Sequence, residues 1–303
     1  MPRLQGGAVL LILPLFFVFF CVSCATQPAV PPDILLLPPA SFEPAWEEIA
    51  PGVALSSHRV EVEGLPLALY CLRADLSEPG VSLLATPPRS PDAEGAAALL
   101  ERTSVFAERL SLAAAVNATP FYSESYRSGV PATPSGLWAA GGTILSPARS
   151  KYAALVIPQD GFAHILSPAE ASVWVPSPGD DAAGGFSLLL RLGFPVPEHY
   201  ASGYDRGRSA RTAAATSAGG RYFYAFVADG KNAAFSVGLT FHETALWLLA
   251  FGAEDALMLD GGGSSALAVR RDRSGVSLVN SPVQFHFSGI ERPVAVHIGI
   301  RSR

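Results

Sequence analysis

One segment near the carboxyl end of the chain limits the possible folds more than any other. Thr240 and Glu243 have the spacing of a capping box, in which the two side chains accept the first free amides of a helix. Gly252 suits the position just beyond the end of that helix. The apolar runs Ala256–Leu259 and Ala266–Val269 then predict two buried strands. The polar residues between them must therefore form a loop that joins two strands.

That loop consists of Asp260, Gly261, Gly262, Gly263, Ser264 and Ser265. An ordered glycine costs about 0.5–1 kcal/mol more than alanine, so three in a row need a reason. Backbone without Cβ atoms can approach a ligand closely, and its amides can hold an anion. The two hydroxyls add donors and Asp260 adds a fixed carboxylate. We therefore predict a binding loop, with a tight turn capped by Asp260 as the alternative.

The rest of the chain shows short strand patterns and few helices, which predicts an α+β fold with mixed sheets in a single globular domain. Hydrophobic residues make up 49% of the sequence and charged residues 16%, which excludes disorder for most of the chain. The net charge of −5 argues against binding to nucleic acid, which requires a basic surface.

Individual strands, loops and one further helix can be predicted as well. A helix is expected from Thr103 or Ser104 to Leu110, and a turn at 77–80 is expected to join two strands in a hairpin. The predicted surface loops are 123–135, 167–185 and 197–210. The remaining predicted strands are Val60–Val62, Leu67–Leu72, Val81–Ala85, Leu112–Asn117, Tyr152–Ile157, Phe186–Leu190, Thr212–Thr216 and Tyr222–Ala228.

The amino end has the features of an export signal. Arg3 precedes the apolar run 8–22, which is short for a membrane-spanning helix. A small residue and then Cys24 follow, which resembles a bacterial lipobox. We therefore predict a lipoprotein-type signal peptide over 1–23, lipidation of Cys24, a proline-rich linker over 24–45 and a folded domain over 46–303. The protein would then be exported and anchored by lipid in the cell envelope.

The loop with its flanking strands resembles the signature of the phosphodiester glycosidase family. Further segments resemble motifs of that family in chain order, and the resemblance covers roughly residues 46–303. These segments are Glu48–Val53, Ala114–Asn117, Arg211–Ala213, Val227–Gly230, Asn280 and Glu291–Val294. The resemblance implies a glycosidase-type hydrolase that cleaves sugar-1-phosphodiesters of envelope glycans or glycolipids, with a sugar linkage like that of N-acetylglucosamine-1-phosphodiesters.

The implied chemistry assigns roles to particular residues. The leaving group is an anionic phosphate monoester, which needs positive charge and N–H donors; Arg211 can supply a bidentate pair of them. Asp260 is the first choice for nucleophile, base or electrostatic stabiliser, with Asp229 and Glu291 as alternatives. The substrate-binding set comprises Asn117, Arg211, Thr212, Gly261, Gly262, Gly263, Ser264, Ser265, Asn280 and Arg292.

The expected partners follow from these roles: a carbohydrate phosphodiester and, through the lipid, a membrane. No cofactor is required, and no metal-ligand spacing occurs in the sequence, although a divalent cation beside Asp260 and the phosphate is compatible with it. The choice between retention and inversion at the anomeric carbon stays open because it depends on the distance between carboxylates.

Two alternatives remain at this stage. In the family the asparagine at the end of its strand is followed by two glycines, whereas Asn117 is followed by Ala118–Tyr122. This difference favours a non-catalytic envelope lipoprotein that binds phosphoglycans. The segment Gly262–Ala266 also loosely matches the G-x-S-x-G pattern of serine hydrolases, with Ser264 or Ser265 as nucleophile. That pattern requires a helix after the serine, where the sequence predicts a strand.

Overall fold

The fold was obtained as a computed structural model, which describes residues 34–88, 98–197, 207–271, 275–285 and 287–303. The predicted signal peptide, Cys24 and the first part of the predicted linker lie outside the described residues. Residues 32–303 form one compact unit. Strands hold 42% of the chain and helices 12%, so the predicted α+β class is confirmed.

The described residues form three α-helices, which are α1 (Thr103–Arg109), α2 (Pro168–Val173) and α3 (Phe241–Phe251). Short 3₁₀ turns span Ala218–Gly220 and Gly262–Ser264. The strands, in chain order, are β1 (Glu47–Ala50), β2 (Val53–Val62), β3 (Leu65–Asp75), β4 (Ser82–Ala85), β5 (Ala98–Leu99), β6 (Ala114–Asn117), β7 (Phe121–Tyr122), β8 (Pro131–Pro134), β9 (Trp138–Ala140), β10 (Thr143–Ser146), β11 (Ala154–Ile157), β12 (His164–Leu166), β13 (Asp181–Gly184), β14 (Leu188–Arg191), β15 (Phe194–Pro195), β16 (Arg211–Thr216), β17 (Tyr222–Ala228), β18 (Asp255–Met258), β19 (Leu267–Arg270), β20 (Val276–Leu278), β21 (Val283–Gln284), β22 (Phe287–Ser288) and β23 (His297–Arg301).

The largest sheet has eight strands in the order β1-β2-β3-β17-β16-β18-β14-β15. Its long hairpin β2–β3 turns through Glu63 and Gly64, both at positive φ, which matches the right-handed twist of the paired strands. A five-stranded sheet follows the order β20-β19-β6-β23-β4, and another follows β10-β9-β13-β11-β12. Two small sheets, β5-β8-β7 and β21-β22, complete the described architecture.

Strand β3 of the eight-stranded sheet carries buried side chains on both faces of the sheet. Successive residues of a strand point to opposite sides, so one strand contributes to two cores. On one side Leu67, Leu69 and Cys71 of β3 pack with the apolar residues of α3. On the other side Tyr70 and Leu72 of β3 pack against the five-stranded sheets. The sheet is therefore a central layer, with α3 on one face and strands on the other.

The loop of Asp260 to Ser265 joins two different sheets. β18 belongs to the eight-stranded sheet and β19 to a five-stranded sheet, so the residues between them cross the gap between the layers. The central strand of that second sheet, β6, ends at Asn117, whose side chain is fully buried. The sequence prediction of a buried strand that delivers a polar residue at its end is confirmed.

Several local predictions were wrong. β3 pairs with β2 and β17, while β4 pairs with β23 in another sheet, so the expected hairpin does not form. The long strand β2 saturates the edge of β3 that a return strand would have used. Part of the predicted loop 167–185 is helix α2 and strand β13, because β13 has pairing partners on both sides.

Residues 34–44, which the sequence assigned to the linker, pack on α3. The amide of Leu36 donates to Oε1 of Glu243 (2.8 Å), and the indole of Trp247 donates to the carbonyl of Leu36 (2.9 Å). Leu36 itself is fully buried. Among the described residues, the helices are all too short or too polar to cross a membrane.

Candidate active site

A cavity of about 390 Å³ lies beside the loop that joins β18 to β19. Its walls come from that loop, the start of β16, the turn after β17 and the start of α3. The lining residues are Phe186, Gly207, Arg208, Ser209, Arg211, Lys231, Phe241, Met258, Leu259, Asp260, Gly261, Gly262, Gly263 and Arg292. Arg211 and Asp260 therefore face one cavity, although they come from different strands.

Most of the loop amides donate within the protein. The amide of Gly262, a residue at φ +63°, donates to the carbonyl of Ala210 (2.8 Å). The amide of Ser264 donates to the carbonyl of Gly261 (3.2 Å), and the amide of Ser265 donates to the carbonyl of Gly262 (3.4 Å). These two bonds close the 3₁₀ turn. These three amides are engaged in shaping the loop, so they are not part of an anion cradle in this conformation.

The glycines instead leave room for two cationic side chains. A Cβ atom on Gly263 would overlap Nη2 of Arg292 and would lie 2.6 Å from Oε1 of Gln284. A Cβ atom on Gly262 would lie 3.0 Å from Nζ of Lys231. The triple glycine therefore allows a guanidinium and an ammonium group to lie directly against the backbone of the loop.

Asp260 carries the carboxylate of the cavity. Burial raises its pKa to about 6, although hydrogen bonds from the Ser264 hydroxyl and the Gly261 amide and the charges of Arg292 and Lys231 act in the opposite direction. Desolvation dominates because it penalises only the ionised form. The result is a carboxylate that titrates near neutral pH.

Arg211 is held rigidly at the cavity wall. Its Nε donates to the carbonyl of Leu239 (2.8 Å), and its Nη2 donates to the carbonyl of Gly207. The guanidinium carbon lies 4.6 Å from the centre of the Phe241 ring, a cation–π contact. The side chain is 5% exposed, so its charge is directed into the cavity region rather than into bulk water.

Lys231 and Arg292 add two positive charges to the cavity, whose described lining residues include Asp260 as their one carboxylate. Arg292 donates to Oε1 of Gln284 (2.7 Å) and to Oγ of Ser264 (3.4 Å), both uncharged acceptors. Burial and the charges of Arg292 and Arg211 lower the pKa of Lys231, which shows that the cations repel one another. Within the described ranges, neither Lys231 nor Arg292 forms an ion pair with a carboxylate. The cavity therefore favours an anionic ligand.

Behind the loop, Asn117 fixes both of its ends. Its Nδ2 donates to the carbonyl of Asp260 (2.6 Å), while its Oδ1 accepts from the amide of Ala266 (3.0 Å) and the hydroxyl of Thr212 (2.9 Å). Asn117 and Thr212 are fully buried. The structure therefore gives these two predicted substrate-binding residues a positioning role.

Asn280 and Asp229 form a second clamp. Oδ1 of Asn280 accepts from the amide of Leu267 (2.9 Å), and its Nδ2 donates to the carbonyl of Ser265 (3.0 Å) and to Asp229 (2.9 Å). Asp229 also accepts from the amide of Ser281 (2.9 Å), and burial raises its pKa. Both side chains hold the far end of the loop and do not line the cavity.

The profile of the phosphodiester glycosidase family matches residues 111–301, which include the whole loop and the cavity residues Arg211, Lys231 and Arg292. The chain belongs to the phosphodiester glycosidase family. A comparison with the curated proteins found no match.

Solved structures share the fold of this chain. The catalytic domain of zebrafish N-acetylglucosamine-1-phosphodiester alpha-N-acetylglucosaminidase, auto-inhibited by its pro-peptide, has a TM-score of 0.61 at 20% identity, covering 87% of this chain and 85% of that one. A hypothetical protein from Synechocystis has a TM-score of 0.59 at 16% identity and the same coverage of this chain. The present chain spans 64% of the length of the Synechocystis protein. Identities this low establish the shared fold alone.

Glu291, the third predicted catalytic carboxylate, lies outside the cavity. Its two oxygens accept from the amide (2.9 Å) and the hydroxyl (2.5 Å) of Ser104, so it caps the start of α1. The predicted helix does begin at Thr103, and a distant carboxylate accepts from the amide of Ser104 in its first turn. Glu291 does not line the cavity, and Asp260 is the one carboxylate among the described lining residues.

Sequence reasoning missed Lys231 and Gln284. Lys231 follows the predicted strand-end motif directly and adopts φ +62°, a conformation that is uncommon for a residue with a Cβ atom. No sequence signal distinguished it from a surface lysine. Gln284 is buried between Gly263 and Arg292, a contact that depends wholly on tertiary structure.

The two serines of the loop are not arranged as nucleophiles. Both are fully buried, and the Ser264 hydroxyl donates to Asp260. No histidine occurs among the described residues that line the cavity. A strand, β19, follows the loop where the serine-hydrolase motif requires a helix.

Proposed function

We propose that this protein hydrolyses sugar-1-phosphodiesters at the anomeric carbon, with the phosphate held by Lys231, Arg292 and Arg211. One observation carries the proposal: a carboxylate of raised pKa and these three cationic side chains line the same cavity. Breaking this bond releases a phosphate monoester, which is already anionic and weakly basic. Its departure therefore requires positive charge and no general acid.

The balance of charge supports phosphate binding. Arg208 also lines the cavity, but its guanidinium pairs with buried Glu243. Lys231 and Arg292 form no ion pair with a carboxylate within the described residues, and Arg211 lines the same cavity. A hydrogen bond to a charged group contributes about 1.5–3 kcal/mol, so two or three such bonds account for strong binding of one phosphate. Nη2 of Arg292, which lies against Gly263, donates to no described residue and can donate to a phosphate oxygen.

We assign Asp260 the role of general base. Its pKa of about 6 lies close to neutral pH, where proton transfer to a carboxylate is most effective. In the step we propose, Asp260 takes a proton from water while the water oxygen bonds to the anomeric carbon. The bond from that carbon to the phosphate oxygen breaks, and its electron pair leaves with the phosphate. A single displacement of this kind inverts the anomeric configuration.

The sugar and the location are further parts of the proposal. The zebrafish relative is named for N-acetylglucosamine-1-phosphodiesters, so we take that linkage as the first substrate to test. The predicted signal peptide and Cys24 favour glycans or glycolipids of the cell envelope as the source. No cofactor is needed, since Lys231, Arg292 and Arg211 supply the positive charge that a divalent cation would otherwise bring.

The direct test is release of free sugar. The purified chain is incubated with the methyl phosphodiester of N-acetylglucosamine-1-phosphate, and free N-acetylglucosamine is measured by chromatography. We expect turnover by the wild type, loss of turnover in Asp260→Asn and retention in the control Asp160→Asn, which alters an exposed aspartate outside the cavity. If none of the three proteins released sugar from any member of a panel of sugar-1-phosphodiesters, the proposal would be contradicted.

The same experiment separates the alternative of a non-catalytic phosphoglycan-binding lipoprotein. Directly after Asn117, Ala118 and Thr119 are buried, and the carbonyl of Ala118 accepts from the amide of Asp260 (2.9 Å). Binding of the phosphodiester without release of sugar, and weakened by Arg211→Ala, would favour this alternative.

A further inference from the structure

A group of exposed aromatic residues lies beside the cationic cavity. Tyr126 is 42% exposed, Phe285 is 69% exposed and Phe287 is 66% exposed. The ring centres of Tyr126 and Phe285 are 6.4 Å apart, and Tyr126 also contacts Phe121 edge-on at 6.2 Å. We call Tyr126, Phe285 and Phe287 the aromatic rim.

The rim connects directly to the proposed phosphate site. The guanidinium carbon of Arg292 lies 4.3 Å from the centre of the Tyr126 ring. Gln284, which accepts from Nε of Arg292, is the last residue of β21 and pairs with Phe287 of β22. One small hairpin therefore both orients a cation of the cavity and carries exposed phenylalanines.

Phe285 has a backbone conformation that is unfavourable for a bulky side chain. It follows β21 at φ +49°, where glycine and asparagine are the usual residues and a bulky side chain is an outlier. The chain thus places an apolar ring in water at a position that also opposes its backbone preference. Outliers of this kind concentrate at ligand-binding sites.

We propose that the aromatic rim binds a hydrocarbon chain carried on the phosphate of the substrate, so that the substrate is a lipid-like sugar phosphodiester. This inference rests on the proposed function. A phosphodiester has two arms: the sugar arm is directed to Asp260, and the other arm leaves the phosphate on the side of Arg292. Phe285 and Phe287 have no hydroxyl groups, and apolar surface of this kind is best covered by an apolar partner.

Charge and apolar surface lie in the order that an amphiphile requires. Its anionic head meets Lys231, Arg292 and Arg211, and its chain covers the rings next to Arg292. Burial of apolar surface contributes in proportion to its area, so affinity should increase with chain length until the rim is covered.

The test compares two phosphodiesters of N-acetylglucosamine-1-phosphate that differ only in the alcohol, methanol or octanol. Dissociation constants are measured by calorimetry on Asp260→Asn, below the concentration at which the octyl compound forms micelles. We expect the octyl compound to bind about tenfold more tightly than the methyl compound. Equal affinities would overturn the inference.

The variant that tests the rim combines Phe285→Asn and Phe287→Thr in the Asp260→Asn chain. Asparagine accepts positive φ and threonine favours strands, so the hairpin keeps its backbone. We expect the tenfold preference to fall below about threefold. The matched control is Phe194→Ser, which removes a phenylalanine that is 74% exposed and lies outside the cavity lining, and it should keep the preference.

The remaining outcomes also decide the question. Equal weakening of both compounds in the rim variant would overturn the inference, because the rim would then act on the sugar or on the shape of the site. Binding of the same proteins to anionic phospholipid vesicles is measured as well. If the rim variant no longer binds vesicles but still prefers the octyl compound, the inference is overturned and the rim is a membrane contact. If the wild type releases no sugar while the tenfold preference is present, the hydrolytic function fails and the ligand class stands.

Discussion

The two sides of the glycine loop differ in how their polar groups are satisfied. Behind the loop, Asn117, Asn280 and Asp229 bond to backbone groups and to one another. In front of it, Lys231 and Arg292 carry charge that is left without a carboxylate partner among the described residues. A satisfied network holds a shape, whereas an unbalanced charge is available to a ligand.

The residues that hold the loop in place are therefore different from the residues that face the cavity. Asparagine and aspartate are typical substrate-binding residues, yet here the buried ones are fully used in holding the loop. Only Asp260, whose backbone is held from behind and whose carboxylate faces the cavity, belongs to both sides. The predictions below test whether the two sides respond as differently as their contacts indicate.

The largest effect is expected from Asp260→Asn. Loss of the general base should lower kcat by about 10³-fold, within the range for general acid–base catalysis. Thermal unfolding should occur at the same or a higher temperature, because the raised pKa means that folding disfavours the charged form. A marked drop in the unfolding temperature would instead make Asp260 a structural residue.

Arg292→Ala should come next, with kcat/KM reduced about 10–100-fold through the loss of a charged hydrogen bond to phosphate. The control is Arg221→Ala, since Arg221 pairs with Asp75 on the surface away from the cavity. Steady-state kinetics on the methyl phosphodiester distinguish the two. Similar losses in both variants would contradict phosphate binding at Arg292.

Asn117→Ala tests the rear of the loop. It leaves the carbonyl of Asp260, the amide of Ala266 and the hydroxyl of Thr212 without their partner, so the free energy of unfolding should fall by about 2–4 kcal/mol. Chemical denaturation measures this loss. Asn232→Ala, which removes one exposed hydrogen bond, should change stability by less than about 0.5 kcal/mol; equal losses would remove the assigned clamp.

The pH profile should show Asp260 directly. Because its folded pKa is raised to about 6, the carboxylate is protonated below that value and kcat/KM should fall about tenfold per pH unit there. The stability contributed by the same group has the opposite sign: it is present at low pH and is lost as the pH rises through about 6. In Asp260→Asn the free energy of unfolding should no longer change with pH in this range. If kcat/KM of the wild type instead fell only below about pH 4, the assignment of Asp260 as the base would be contradicted.

Gly263→Ala should have the smallest effect, a loss of about tenfold or less in kcat/KM, because the new methyl group displaces Arg292. Gly263 is not at positive φ, so backbone strain does not add to the effect. In a chain that already carries Arg292→Ala, the substitution should cost less, because only its contact with Gln284 remains. A full additional loss would show that the glycine serves some other purpose.

The sequence predicted local features well where the local pattern decided them. The capping box of Thr240 and Glu243 and the left-handed Gly252 at the end of α3 are present as predicted. The resemblance to the family also assigned Arg211 and Asp260 to one substrate, and both residues line the same cavity. These features depend on short-range chemistry or on a shared family pattern.

The features that failed depend on distant partners. The hairpin expected between β3 and β4 fails because β2 competes for the same strand edge. The predicted amide cradle fails because the carbonyl of Ala210 and the loop itself take the amides, and the glycines serve instead to admit Arg292 and Lys231. No local pattern carries that information.

The position of an oxygen isotope tests the central claim most directly. The methyl phosphodiester is hydrolysed in water enriched in ¹⁸O, and the products are analysed by mass spectrometry before the sugar exchanges its anomeric oxygen. We predict that the label enters N-acetylglucosamine and that methyl phosphate contains none. Label in a phosphate product would show attack at phosphorus, and would contradict a cavity that holds the phosphate as a leaving group while Asp260 directs water to carbon.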